Sequence, residues 1–404
     1  MAIVAFLVCL VSADAQVPSS VNGPKALPFS GKLDYHLHYS QNAEFGSSFG
    51  DWQTSTASAT AEYANISQQH PFALDYSGGY TWTLTGPDYS TGLFQHLFLS
   101  QGIAWTRWNV LVSDDAGYRP QAPTTGFSGI PGTGETVGAA NPSPPSSQSI
   151  LTLHTHVVDN TAAGTVSRAG GAYTASVGGS SYLLRYPDSN GLDTNTYMGN
   201  ASLDRRLNSR NSVAGKYIFS QFYYPDADFT FDTQTGLLDF TRSWNRKLST
   251  DLAAGPEWTS SSSGAVVPSV LRASVRASLT YQLRSVSADA TYNRSTNGGS
   301  GYLLGAKRDV AAADLSREFG RNLTFGITGS YMRTASLRNN GTTSSKYGGV
   351  QITRKIGPQI SLFANYTAMD QSTSSALPRN TLHGLLQIAS VGISYGSREV
   401  HVGH

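Results

Sequence analysis

An all-β fold, an antiparallel up-and-down β-barrel of about eighteen strands, is predicted by three features of the 404-residue sequence. Apolar and polar residues alternate with period 2, connections alternate between tight turns and longer polar loops, and charge is scarce. Charged residues make up 13% of the chain, about half the ~25% share of a soluble globular protein. Aromatic residues at 11% argue against a disordered chain. A net charge of +2 leaves no concentrated basic face for nucleic acid.

The first element is a leader. Ala2 to Val11 is an unbroken apolar run, followed by the peptidase-site pattern Ser12-Ala13-Asp14-Ala15, so residues 1–15 read as a signal peptide cut before Gln16. Residues 16–32 form a short segment ahead of the first strand. Cys9, the sole cysteine, falls inside the leader. The mature chain therefore offers no disulfide, thiolate zinc site, covalent haem motif or cysteine nucleophile.

Strands fill residues 33–396. The clearest runs from Leu271 to Arg284: Leu271, Ala273, Val275, Ala277, Leu279, Tyr281 and Leu283 share one face, and Arg272, Ser274, Arg276, Ser278, Thr280, Gln282 and Arg284 the other. Val286, Ala288, Ala290 and Tyr292 continue the pattern against Ser287, Asp289, Thr291 and Asn293. Leu33, Tyr35, Leu37 and Tyr39 alternate likewise with Asp34, His36, His38 and Ser40.

Tight turns fall at 207–209, 246–248, 284–285, 319–321 and 355–358, and longer loops at 224–234, 260–268, 295–301, 336–344 and 370–381. The Pro/Gly/Ser-rich stretch 113–148 reads as one very long loop. This rhythm predicts strands at 33–45, 51–65, 72–85, 93–100, 102–112, 158–168, 171–186, 195–207, 211–224, 235–247, 249–260, 269–283, 285–295, 302–318, 322–335, 344–355, 358–369 and 383–396. The alternative count is sixteen, with 93–112 counted in one long strand.

So many amphipathic strands would need a very long core as a soluble sandwich. A closed barrel removes the edges, turning the apolar face to lipid and the polar face to a wet interior. Tyr281 and Tyr395 near turn ends, and Tyr292, Tyr331 and Tyr366 near loop ends, all on apolar faces, mark two interfacial girdles.

With its leader, hairpin rhythm and closing strand Gln387 to Tyr395, the sequence resembles the porin-like outer-membrane β-barrels of Gram-negative bacteria. The resemblance covers the mature chain and departs from the family at Ser397 to His404, which follow the closing aromatic. It implies residence in outer-membrane lipid and insertion by the barrel-assembly machinery.

Two functions from different classes follow. One is a passive pore for small polar solutes, because barrels of this size leave an aqueous channel unless plugged, with 113–148 as constriction. The other is a filled scaffold or sheath barrel for a secreted or redox partner. Residues 16–32 are too few for a plug domain.

Chemistry-bearing patterns are sparse. His36 and His38 share a strand face, as do His154 and His156, without a third ligand at fixed spacing. Gly129 to Gly134 loosely follows a phosphate-loop pattern but contains Pro131 and no lysine. No G-x-S-x-G or H-E-x-x-H motif occurs. Neither catalysis nor a cofactor is expected. The pore-lining candidates are Arg272, Ser274, Arg276, Gln282 and Arg284 on one strand and Asp289 on its neighbour. The arginines either form a ladder favouring anions or brace the wall through ion pairs. Asp289 and Asp239 would offset part of their charge.

Overall fold

Eighteen antiparallel strands close on themselves in the computed structural model of the chain, which describes residues 31–46, 50–65, 67, 69–86, 91–120, 156–187, 191–262, 267–299, 302–338, 341–374, 381, 383–396 and 400–402. They are β1 Gly31–Gly46, β2 Gly50–Asn65, β3 Phe72–Thr85, β4 Gly92–Ala104, β5 Trp108–Pro120, β6 His156–Gly170, β7 Tyr173–Arg185, β8 Thr194–Arg206 and β9 Asn211–Tyr224. The second half comprises β10 Phe229–Ser243, β11 Leu248–Ser261, β12 Val270–Leu283, β13 Val286–Asn297, β14 Ala306–Phe319, β15 Leu323–Ser336, β16 Thr342–Lys355, β17 Ile360–Thr373 and β18 Gly384–Gly396. β18 pairs with β1, from His36 opposite Gly396 to Gly46 opposite Leu386, and this pairing closes the barrel. A short β19, Val400–Val402, extends the β1 edge opposite Gly31 to Leu33. A short 3-10 turn, Pro225–Ala227, lies between β9 and β10.

The break near residue 100 is real but shifted. Trp105 N–H donates to Trp108 O at 2.8 Å, closing a turn between β4 and β5. β5 then continues to Pro120, through residues the sequence reading gave to the long loop. The run Ser113-Asp114-Asp115 hides the alternation because both of its faces are polar there. Asn160 Nδ2 supplies the missing partner by donating to Asp114 Oδ1 at 2.9 Å. The leader, His154, the Gly129 to Gly134 stretch and the rest of the expected loop lie outside the described residues.

Connections from even to odd strands are tight apart from residues 66–71 between β2 and β3, and those from odd to even strands are mostly longer, so one rim carries turns and the other loops. The start of β1 and the end of β18 lie at the turn rim.

The alternating faces sort cleanly. Large apolar residues on the convex side stay exposed, among them Leu37, Val112, Val177, Leu238, Leu271, Ile352 and Val391. Aromatic residues border this band: Tyr35, Trp108, Tyr173, Trp244 and Phe319 toward the turn rim, and Phe45, Tyr80, Trp258 and Tyr331 toward the loop rim. From Leu323 to Tyr331 on β15 the rise is about 21 Å at ~3.4 Å per residue and a ~40° tilt, close to the ~25 Å apolar band of such barrels.

Arginines stack on the turn-rim aromatics. Arg168 lies over Trp108 (5.3 Å), Arg205 over Tyr173 (5.5 Å), Arg242 over Trp244 (3.9 Å) and Arg317 over Phe319 (4.7 Å). Each guanidinium thus lies over an aromatic ring at the turn rim, a cation–π contact.

Candidate functional site: the barrel interior

The concave face is polar along most of its height and carries two contrasting walls. On β9–β12 the register brings Lys216, Asp239, Asp251, Glu257, Arg272 and Arg276 to the inside. Asp239, only 3% exposed, receives Lys216 Nζ at 2.5 Å and Arg276 Nη2 at 3.1 Å. Arg276 also reaches Asp251 Oδ1 at 3.8 Å. Arg272 stands opposite Glu257, whose carboxylate accepts from Thr296 Oγ1 and from Thr296 N–H.

The other pore-lining candidates separate from this cluster. Ser274 Oγ donates to Arg294 O at 3.1 Å, within the wall. Gln282 and Arg284 are exposed at the turn rim. Asp289 stands opposite Thr280 and Asp314. Thus Asp239 and Asp251 meet Arg276, and Glu257 stands opposite Arg272, while Asp289 meets neither arginine.

The facing wall, β1–β5, holds a pattern invisible in the linear sequence. Register places Asp34 opposite Glu62, Glu62 opposite Asp75, Asp75 opposite Phe98 and Phe98 opposite Asp115. Four carboxylates thus share one interior row across five strands. The adjacent row carries His36, Thr60, Ser77 and His96. His96 Nε2 lies 3.0 Å from Asp115 Oδ1, and His36 Nε2 lies 3.5 Å from Asp34 Oδ2. His36 and His38 stack at 6.0 Å. Interior positions of β2–β4, β6 and β7 contribute no lysine or arginine among the described residues. No group of three or more His, Asp or Glu side chains among them is arranged to hold a metal ion. His156, expected to share a face with His154, stacks on Tyr118 at 5.9 Å.

The loop rim is crossed from inside. The described parts of the connection between β13 and β14, residues 298–299 and 302–305, meet strands far around the wall. Tyr224 OH of β9 donates to Gly298 O at 2.8 Å. Tyr302 packs edge-on against Tyr186, after β7, at 5.6 Å. Gly305, at φ 79°, accepts Leu337 N–H at 3.1 Å. A Cβ on Gly305 would sit 2.9 Å from both Leu337 and Phe231, so both conformation and space demand glycine here. Beneath the connection, Phe222 and Phe231 stack at 4.6 Å in a buried cluster with Tyr224, Phe229, Val267 and Leu337. The sequence reading took 295–301 for an ordinary external loop and placed the constriction at 113–148.

A second buried interior cluster, Trp52, Val310, Met332, Tyr347, Met369, Leu386 and Ile388, spans β14–β18 and β2. Beside it Glu44 is fully buried, with Oε2 lacking a hydrogen-bond partner.

No protein-family profile matches the sequence, and no curated protein matches it. Among solved structures the chain is similar to Pseudomonas aeruginosa OccK2 (OpdF), at 13% identity and a TM-score of 0.49, over 91% of this chain and 97% of that one. It is also similar to Pseudomonas aeruginosa OpdQ, at 12% identity and a TM-score of 0.44, over 91% and 98% of the two chains. Acinetobacter baumannii OccAB4 follows at 8% identity and a TM-score of 0.47, over 92% and 98%. Identities this low with TM-scores below 0.5 assign no function.

Proposed function

We propose that the protein is an outer-membrane pore for passive diffusion of small polar solutes, with loops outward and turns toward the periplasm. The observation that carries this reading is the sorting of one closed wall into an apolar convex face bounded by aromatics and a polar, charged concave face. A soluble barrel has no use for exposed Leu, Val and Ile on most of its strands, whereas lipid requires them. Eighteen strands leave room for water inside. The Gly298–Gly305 chord narrows that space, so passage is limited to small solutes. The same chord disfavours a sheath for a partner protein, which needs an unobstructed bore. Insertion by the barrel-assembly machinery through the β18 edge fits a strand that closes against β1.

The interior charges set the preference. Arg272 and Arg276 line the path, together with Ser274 and Asp289, but Asp239, Asp251 and Glu257 offset their charge. The acidic row on β1–β5 has His36 and His96 beside it, and Lys32 stands at its turn-rim end, two residues before Asp34 on the same face. A low-dielectric wall focuses this imbalance into the path, so the pore favours cations, in place of the anion bias that the arginine ladder alone predicts. Reconstitution in planar bilayers is expected to give stepwise conductance with a cation-selective reversal potential under a salt gradient. Silent bilayers, with folded barrel verified by heat-modifiable gel migration, would overturn the reading.

A further inference from the structure

The outer face of β13–β17 changes character abruptly toward the loop rim. Its apolar band ends in a flat row of small residues, Ala290, Ala313, Gly329, Gly348 and Ala368, paired in register. The next row holds Tyr292, Tyr331, Lys346 and Asp370, and the one above it Arg294, Asp309, Arg333, Ser344 and Ser372. Four cations, with Lys307 as the fourth, therefore stand on the lipid-facing side against two carboxylates. Asp309 is engaged by Arg294 Nε at 2.5 Å, Tyr292 OH at 3.1 Å and Lys307 at 3.9 Å. Arg333 and Lys346 are exposed and make no ion pair among the described residues, although Asp309 and Asp370 are their register neighbours. Beside Arg333 lies an outward groove of about 390 Å³ lined by Tyr331, Thr342, Ser344, Ser372 and Ser374, together with Thr343 and Thr373.

Cations on the lipid side of a barrel are costly in the apolar band and tolerable only near the headgroups. Two unpaired cations beside a dense set of hydroxyls match a ligand that is anionic and polyhydroxylated at once. We propose that this patch binds the phosphorylated saccharide headgroup of an outer-leaflet glycolipid. Its phosphate lies on Arg333 and Lys346, its sugar hydroxyls meet the Thr/Ser groove, and its acyl chains run down the flat row onto Ile327 and Val350. A simple phospholipid satisfies the cations but leaves the groove unmatched. The site rests on the loops-outward orientation proposed above, not on the pore being open.

The test is native mass spectrometry of the folded full barrel in detergent, titrated separately with diphosphoryl lipid A, dephosphorylated lipid A, phosphatidylglycerol and inorganic phosphate. Wild type is expected to retain diphosphoryl lipid A. R333Q/K346Q is expected to lose about tenfold in affinity, as removal of charge-assisted contacts implies. T342V/S344A keeps the charge, and it is expected to weaken lipid A binding without gaining phosphatidylglycerol. Both variants must show wild-type heat modifiability and conductance, which separates this proposal from the pore reading. Equal retention by wild type and R333Q/K346Q overturns the proposal. So does equal retention of phosphatidylglycerol and lipid A, or displacement of lipid A by inorganic phosphate at equal concentration.

Discussion

Asp239 Oδ2 lies 3.1 Å from Arg276 Nη2 and also accepts Lys216 Nζ, so one nearly buried carboxylate holds two cations of the interior wall. The relationship makes Asp239 the residue whose neutralisation leaves two cations, Lys216 and Arg276, short of a partner at once. Asp239→Asn is expected to shift the reversal potential toward anions, because Lys216 loses its carboxylate and Arg276 keeps only Asp251. The stability cost is about 1 kcal/mol, the upper range for hydrogen bonds to charged groups being reduced because Arg276 is half exposed. A reversal potential identical to wild type would show that this wall lies outside the ion path.

Glu62, Asp75 and Asp115 form most of the opposing acidic row. Their joint replacement, E62Q/D75N/D115N, is expected to lower the cation-to-anion permeability ratio a few-fold, given surface potentials of several kT in a charged cleft. Arg272→Ser/Arg276→Ser is expected to raise the same ratio slightly. If the two sets of substitutions move selectivity in the same direction, the two-wall account is wrong.

Tyr302 pins the connection that crosses the loop rim. Tyr302→Ala removes its ring contact with Tyr186, and Tyr224→Phe removes the hydrogen bond to Gly298 O, worth ~1 kcal/mol. Combined, they are expected to raise single-channel conductance and increase current noise, because the chord can then swing away from the mouth. Unchanged conductance would place the narrowest point elsewhere.

The fold was legible because alternation is local: Leu271 to Leu283 announces its two faces without any partner. The strand was lost at Ser113 to Pro120, where consecutive polar residues mask the period and only pairing with β4 and β6 reveals it. The interior charges were half legible. Arg272 and Arg276 stand two turns of the pleat apart on one strand, so they read as a ladder. Their carboxylates come from β10 and β11, and the row Asp34, Glu62, Asp75, Asp115 exists only in register. The chord was missed because the stretch Gly298 to Gly305 has the composition of any external loop, and the seating of Gly298 and Gly305 depends on Tyr224 and Phe231 from elsewhere. One local signal went unread: an arginine two residues before an apolar side chain at the turn rim, as in Arg242-Ser-Trp244 and Arg317-Glu-Phe319, marks the boundary of the apolar band.

Gly255 provides the sharpest test of the barrel's packing. The β10–β11 register runs from Thr235 opposite Glu257 directly to Leu238 opposite Ala254, skipping the pairs between. Pro256 has no N–H to offer at that point, and the two backbones approach closely instead. A Cβ on Gly255 would fall 1.8 Å from Gly236 O and 2.8 Å from Gly236 C, both rigid backbone atoms. No side-chain rotation relieves such a contact, so the strands must separate and strain the flanking Asp239 to Arg276 bridge. Gly255→Ala is expected to cost 1–3 kcal/mol, on the order of a core overpacking substitution, and to lower the urea midpoint of the heat-modifiable form. Gly199→Ala is the control, because a Cβ there meets nothing within 4 Å, and its midpoint is expected to match wild type. Equal midpoints for the two variants would mean that β10 and β11 lie farther apart than this geometry requires.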